Sequence, residues 1–198
     1  MNTRTVTLFL ALLAVVAEIG TAVAVVLIVG GRFSPAVRRL GQQALEAVSP
    51  SALSLAAVVA AVCTAGSLYL SEVAHFPPCR LCWYQRIAMY PLVPLLGIAA
   101  WRRDRGVRLY GIVIAALGAP ISIYHILLER DIIHESGACD PANPCNIVWV
   151  KRLGYLTIPT MALSGFALII TLLAISREEL LDGNPQAEVE VQRGRRSP

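Results

Sequence analysis

Five apolar runs alternate with polar segments along the chain: about Val6 to Val29, Ala52 to Leu70, Ile87 to Trp101, Leu109 to Leu128 and Tyr155 to Ile175. All but the third reach the roughly 20 residues that a helix needs to cross the hydrocarbon core of a bilayer. Ile87 to Trp101 reaches that length only if its helix starts near Cys82, which sets Trp83 and Tyr84 at the interface, where amphipathic rings are favoured. The pattern predicts an all-α integral membrane protein with five spans.

Composition agrees, since 56% apolar against 15% charged residues in 198 is too apolar for an ordinary soluble domain. Between the first two runs, Gly30 to Pro50 is basic and carries a short amphipathic stretch around Val37 to Val48, which reads as a connector near lipid headgroups. Arg102 to Arg108 is a tight basic turn, and Glu129 to Gly154 is a long loop punctuated by Gly137, Pro141 and Pro144. After Ser176 the tail is rich in Glu, Gln, Gly and Arg, which predicts disorder. The expected units are residues 1–30, an N-terminal transmembrane helix; 31–50, a cytoplasmic connector; 51–176, a membrane domain; and 177–198, a cytoplasmic tail. There is no internal repeat and no phosphate-binding glycine loop, and nothing points to a nucleic-acid partner.

Positive charge resists translocation, so Lys and Arg orient the chain. Five spans put eleven of them on one side, from Arg32 to Arg196, and six on the other: Arg4, Arg80, Arg86, Arg130, Lys151 and Arg152. Without the distant Arg193, Arg195 and Arg196 the balance is eight to six. The richer side is expected in the cytoplasm. Were the first run a cleaved signal peptide, the orientation of the rest would invert; its length, its short Met1 to Arg4 head and Glu18 at mid-run favour a retained helix.

In that orientation two cysteine pairs lie outside the cytoplasm, where protein disulfides persist. Cys79 and Cys82 form a Cys-x-x-Cys directly after Pro77-Pro78, at an expected helix start, and Cys139 and Cys145 lie in the long loop. Unpaired amides and the positive dipole end of a helix favour a thiolate. Arg86, four residues after Cys82 and on its helical face, adds a cation that would also favour an electron-rich acceptor as it takes electrons. A snorkelling arginine is the plainer reading of Arg86. Four cysteines are also a tetrathiolate zinc pattern, though zinc would leave Arg86 and the apolar setting unexplained, and the loop pair alone could be a structural staple.

The run Cys79-Arg80-Leu81-Cys82-Trp83-Tyr84-Gln85-Arg86 resembles the signature of the disulfide bond formation protein B family, DsbB. The close spacing of Cys139 and Cys145, with Gly154-Tyr155-Leu156-Thr157-Ile158-Pro159-Thr160-Met161 and Phe166, looks like its BdbC branch, as do Tyr124-His125 and Leu128-Glu129. The resemblance covers about Ala52 to Ile175 and implies a four-helix transmembrane bundle core, so the first helix is an extra N-terminal one. It also implies a bacterial inner membrane enzyme that reoxidises a DsbA-like thioredoxin-fold thiol oxidase and passes electrons to a membrane quinone, ubiquinone or menaquinone. Carried over by residue, the partner's thiolate attacks Cys139, Cys145 is released and exchanges with Cys79, and Cys82 faces the quinone as a thiolate beside Arg86.

Vitamin K epoxide reductase-like enzymes combine the same elements, but there the loop pair precedes the Cys-x-x-Cys. A cysteine-liganded metal-binding membrane protein is the rival of another class. Among the remaining candidates, Cys63 reads as a small packing residue. His125, with Glu129 four residues on, is a candidate proton relay to the quinone. Glu18, ionisable inside an apolar run, is expected to face other helices or water.

Overall fold

Among the described residues of the computed structural model, six α-helices follow one another: α1 (Thr3–Gly30), α2 (Pro35–Leu68), α3 (Arg80–Met89), α4 (Leu92–Arg102), α5 (Arg108–Glu129) and α6 (Ile158–Ile175). The structure describes residues 2–134, 137, 139–140 and 143–176, so the expected tail at 177–198 and Pro141 lie outside the described residues. Among these there is no strand, only the isolated bridges Asp140 to Asn143 and Arg152 to Leu156. Four helical segments are long and apolar enough to cross a membrane: α1, α2 with its π-helical extension Tyr69–Val73, α5 and α6. This is a multi-pass membrane protein.

The remaining passage is made in two pieces. Pro91 has no amide to give to the preceding turn, so the helix that starts at Arg80 breaks at Tyr90–Pro91 and resumes as α4. Neither piece spans alone, but residues 80–102 at 1.5 Å per residue rise about 34 Å, enough for a core of about 30 Å.

A second departure concerns the connector expected at 31–50. Only residues 31–34 form a turn; α2 begins at Pro35 and runs unbroken through Pro50, so the boundary expected there falls inside a helix. Glycines explain this path. Gly41 lies against Leu27, and Gly66 against the Leu10 side chain, so α2 runs back along most of the length of α1.

Small residues let helices approach where no water drives them together. A Cβ on Gly118 of α5 would overlap the Phe166 ring of α6, which is itself fully buried among Leu92, Leu96, Ile169 and Leu173. Helix α1 joins α6 and the segment just before it through polar contacts. Glu18 accepts from the Tyr155 hydroxyl at 2.6 Å and from Ser164 Oγ at 2.9 Å, and Arg152 donates from Nε and Nη2 to Thr7 Oγ1 at 3.0 and 2.8 Å. The alternating helix directions set both cysteine pairs at one end of the bundle, and the basic Arg102 to Arg108 turn at the other.

Candidate functional site

The Pro77-Pro78 pair holds the chain extended into Cys79, which is the N-cap of α3 with φ −70° and ψ 172°. Its Sγ accepts the Cys82 amide at 3.3 Å and lies 3.0 Å from Cys82 Sγ. His125, buried on α5, brings Nε2 to 3.7 Å from Cys79 Sγ and to 3.0 Å from the Cys145 carbonyl. A carbonyl can only accept, so Nε2 carries a proton and is a donor toward the sulfur as well. Gln85 Nε2, 3.4 Å from His125 Nδ1, fixes the other side of the ring.

These donors converge on one sulfur. Hydrogen bonding with the Cys82 thiol lowers the Cys79 pKa to about 4, aided by His125 and the Cys82 amide, and against the opposing effect of burial. In this dithiol the N-cap position gives the Cys82 amide and the His125 ring to Cys79, so the donors favour charge on Cys79.

The loop pair is a disulfide, Cys139 to Cys145, with Cα atoms 5.9 Å apart. Its cysteines pack with Cys79, Leu81 and Leu128 in one apolar cluster that Cys82 also touches, so the two pairs share one site although 57 residues separate Cys82 from Cys139. Besides the His125 contact to the Cys145 carbonyl, residues just before Cys79 hold the loop there. Asn143 Nδ2 donates to the Pro78 carbonyl at 3.1 Å, and the Phe76 and Trp149 rings stack at 5.5 Å.

Behind Cys82 opens a cavity of about 320 Å³. Its wall includes Cys82, Gln85, Arg86, Ser67 and Tyr90, and is otherwise almost wholly of apolar side chains. Arg86 is 8% exposed and donates from Nε to Ser67 Oγ and from Nη2 to the Ser67 carbonyl, both at 3.0 Å. The helical ladder widens to its π form just beyond, at Tyr69–Val73, the kind of local change that frees backbone groups for other partners. The guanidinium also lies 5.1 Å from the Trp83 ring centre and 6.0 Å from that of Tyr90. None of these partners is anionic, so Arg86 is a buried cation beside the cavity and not a snorkelling one.

Cys82 and Arg86 thus meet at the cavity, as their spacing suggested, but His125 does not line it and sits beside Cys79 instead. The reason is helical phase: His125 is on the face of α5 turned to the α3 N-terminus. Cys63 packs against Gly165 and also forms part of the cavity wall. Gln85 and Ser67 escaped sequence reasoning. Gln85 was findable, three residues after Cys82 and beside Arg86; Ser67 has no local signal.

With Cys139 and Cys145 bonded to each other, the four sulfurs do not form a tetrathiolate. Cys79, Cys82 and His125 do bring three donor atoms within 4.8 Å of one another, a set that could hold a metal ion.

A model of the family described as disulfide bond formation protein DsbB matches residues 49–175. The chain belongs to the DsbB family. It is 45% identical over 124 residues to the disulfide bond formation protein C of Bacillus subtilis, covering 62% of this chain and 89% of that one. Probable disulfide formation proteins of Oceanobacillus iheyensis and Deinococcus radiodurans are each 43% identical, over 125 and 139 residues, which is 62% and 65% of this chain and 86% and 90% of theirs. No solved structure matches the chain. Family membership makes this DsbB-type protein a disulfide oxidoreductase, and α1 lies wholly before the matched residues.

Proposed function

We propose that the protein reoxidises an extracytoplasmic DsbA-like thioredoxin-fold thiol oxidase and delivers the electrons to a membrane quinone. The observation that carries this reading is the junction at Cys82: one face joins the cluster holding both cysteine pairs, and the other forms the wall of an apolar cavity with a buried Arg86 whose hydrogen bonds go to the uncharged Ser67. A quinone suits that cavity. Its volume is within the range of small-molecule sites, its apolar walls suit a lipid-soluble ring, and Arg86 and Gln85 offer donors to ring oxygens. The quinone supplies a two-electron acceptor.

The loop disulfide receives the partner. Its thiolate attacks Cys139, and Cys145 leaves as a thiolate that attacks Cys79 of an oxidised Cys79 to Cys82 pair, releasing Cys82. Resolution of the partner frees Cys139, which attacks Cys145 and expels Cys79. The low pKa of Cys79 makes it a good leaving group in that step. The products are a loop disulfide beside a Cys79/Cys82 dithiol, which is the arrangement described above. Re-forming the Cys79 to Cys82 disulfide releases two electrons and the remaining protons to the acceptor. Arg86 favours the charge arriving there, and Asn143 and the Phe76 to Trp149 stack keep the loop within exchange distance.

The orientation that serves this function has the cysteine end outside the cytoplasmic membrane and the basic turn inside, as the charge balance suggests. Purified protein supplied with a reduced thioredoxin-fold protein and a quinone should turn over both. Each of Cys79→Ser, Cys82→Ser, Cys139→Ser and Cys145→Ser should stop net turnover; continued turnover in Cys82→Ser would refute the scheme.

A further inference from the structure

We propose that α1 is a wall of the acceptor cavity and, with α2 and α6, encloses a channel for the alkyl tail of the quinone. This rests on the quinone reading of the cavity. Leu10, Leu13 and Ala17 of α1 recur at helical spacing, on one face, and line the cavity opposite Val58 and Val62 of α2. The polar groups of the cavity are Ser67, Gln85 and Arg86 beside Cys82; Leu10 lies against Gly66, next to Ser67, and Leu13 and Ala17 follow along α1 away from that point. A ring held by those groups therefore points its substituent along the α1 side. Without α1 the same surface would be a groove open to lipid.

The docking of α1 has the character of a fixed part, not a passive anchor. A carboxylate in an apolar helix is costly unless it is paired, and Glu18 is satisfied by Tyr155 and Ser164 together. About one turn from the start of the helix, Thr7 is held by two donors of Arg152. Two such points set the rotation of α1 about its own axis, and so decide which face looks into the cavity. Leu13, 37% exposed, contributes to that face without being needed for the buried packing of the helix. Helix α1 precedes the residues that the family model matches, so this wall of the cavity comes from outside the matched core.

The test compares binding of a benzoquinone bearing a long alkyl tail with that of the same ring without it, by equilibrium dialysis of the full-length protein. Leu13→Trp should weaken binding of the tailed quinone by about ten-fold or more, because several methylenes lose their place in an apolar pocket, and leave the tail-less ring within about two-fold. Ile19→Trp, on α1 but outside the cavity wall and 58% exposed, should change neither. Equal affinity of Leu13→Trp and wild type for the tailed quinone overturns the channel. Failure of the wild type to bind either ring overturns the quinone reading itself. Independently of any variant, a photoreactive group at the tail end should label the tryptic peptide Thr5–Arg32; labelling only elsewhere overturns the proposal.

Discussion

A Cys79 thiolate held down to about pH 4 changes how the potential of the dithiol depends on pH. For a two-electron couple each tenfold change in equilibrium constant is worth 29.6 mV, so uptake of one proton on reduction gives about 30 mV per pH unit and uptake of two gives about 59 mV. Between about pH 5 and pH 8 only one sulfur of the reduced pair should hold a proton, and the slope should be near 30 mV. A lowered thiol pKa stabilises the reduced form fully above the ordinary thiol pKa of about 8.5, and that stabilisation is lost progressively as pH falls toward 4. His125→Ala removes a donor to a charged sulfur, a loss of about 1.5–3 kcal/mol. At 1.36 kcal/mol per pH unit, the break in slope should rise by about one to two pH units and the potential at neutral pH should fall by about 30–60 mV. The assay is equilibration with glutathione buffers across pH in a Cys139→Ser/Cys145→Ser background, so that one couple titrates, with thiols counted by alkylation. A wild-type slope near 59 mV throughout that range, or no change on His125→Ala, would refute the assignment of the charge to Cys79.

Arg86→Met should lower the rate of quinone reduction by about a hundred-fold, the usual loss when a preorganised group facing developing charge is removed, with thiol exchange at the loop pair unchanged; Arg86→Lys, which keeps the charge but not the two contacts to Ser67, should fall between, as steady-state kinetics would show. Asn143→Ala frees the loop from Pro78 at a cost of about 1 kcal/mol and should slow exchange between the pairs about five-fold in a rapid-quench experiment, without altering quinone affinity. Gly118→Leu must push Phe166 out of the α5 to α6 contact and should destabilise the protein by about 1–3 kcal/mol or more in thermal unfolding in detergent. If the dithiol and His125 instead hold a metal, the reduced protein will carry about one zinc that is lost in both Cys82→Ser and His125→Ala; the redox account predicts full activity in the zinc-free protein.

Much of the site was legible because its chemistry is local. Cys79, Cys82 and Arg86 lie within about two turns at the start of a helix marked by Pro77-Pro78, so spacing alone put them on one surface. Apolar runs marked the helices for the same reason, since a bilayer demands length and hydrophobicity and little else. What the pattern could not show depends on neighbours distant in sequence. The proton donor to Cys79 comes from α5, and the anchor of Arg86 from the end of α2, 19 residues earlier. Run lengths also miss breaks and extensions made by single residues: Pro91 divides the third passage, while Gly41 and Gly66 let α2 lie along α1 from Pro35 onward. Glu18 stood out by its charge, but its partners Tyr155 and Ser164 could be found only once α1 had a place in the bundle.

The most direct measurement is a single turnover without oxygen. Protein carrying the loop disulfide and the Cys79/Cys82 dithiol is mixed with one equivalent of quinone, and the thiols are then mapped by alkylation and mass spectrometry. The account predicts one reduced quinone for each pair of thiols lost, at Cys79 and Cys82 alone, with Cys139 and Cys145 still bonded to each other. Unreduced quinone beside an intact dithiol, or thiols lost from any other pair of cysteines, would contradict it.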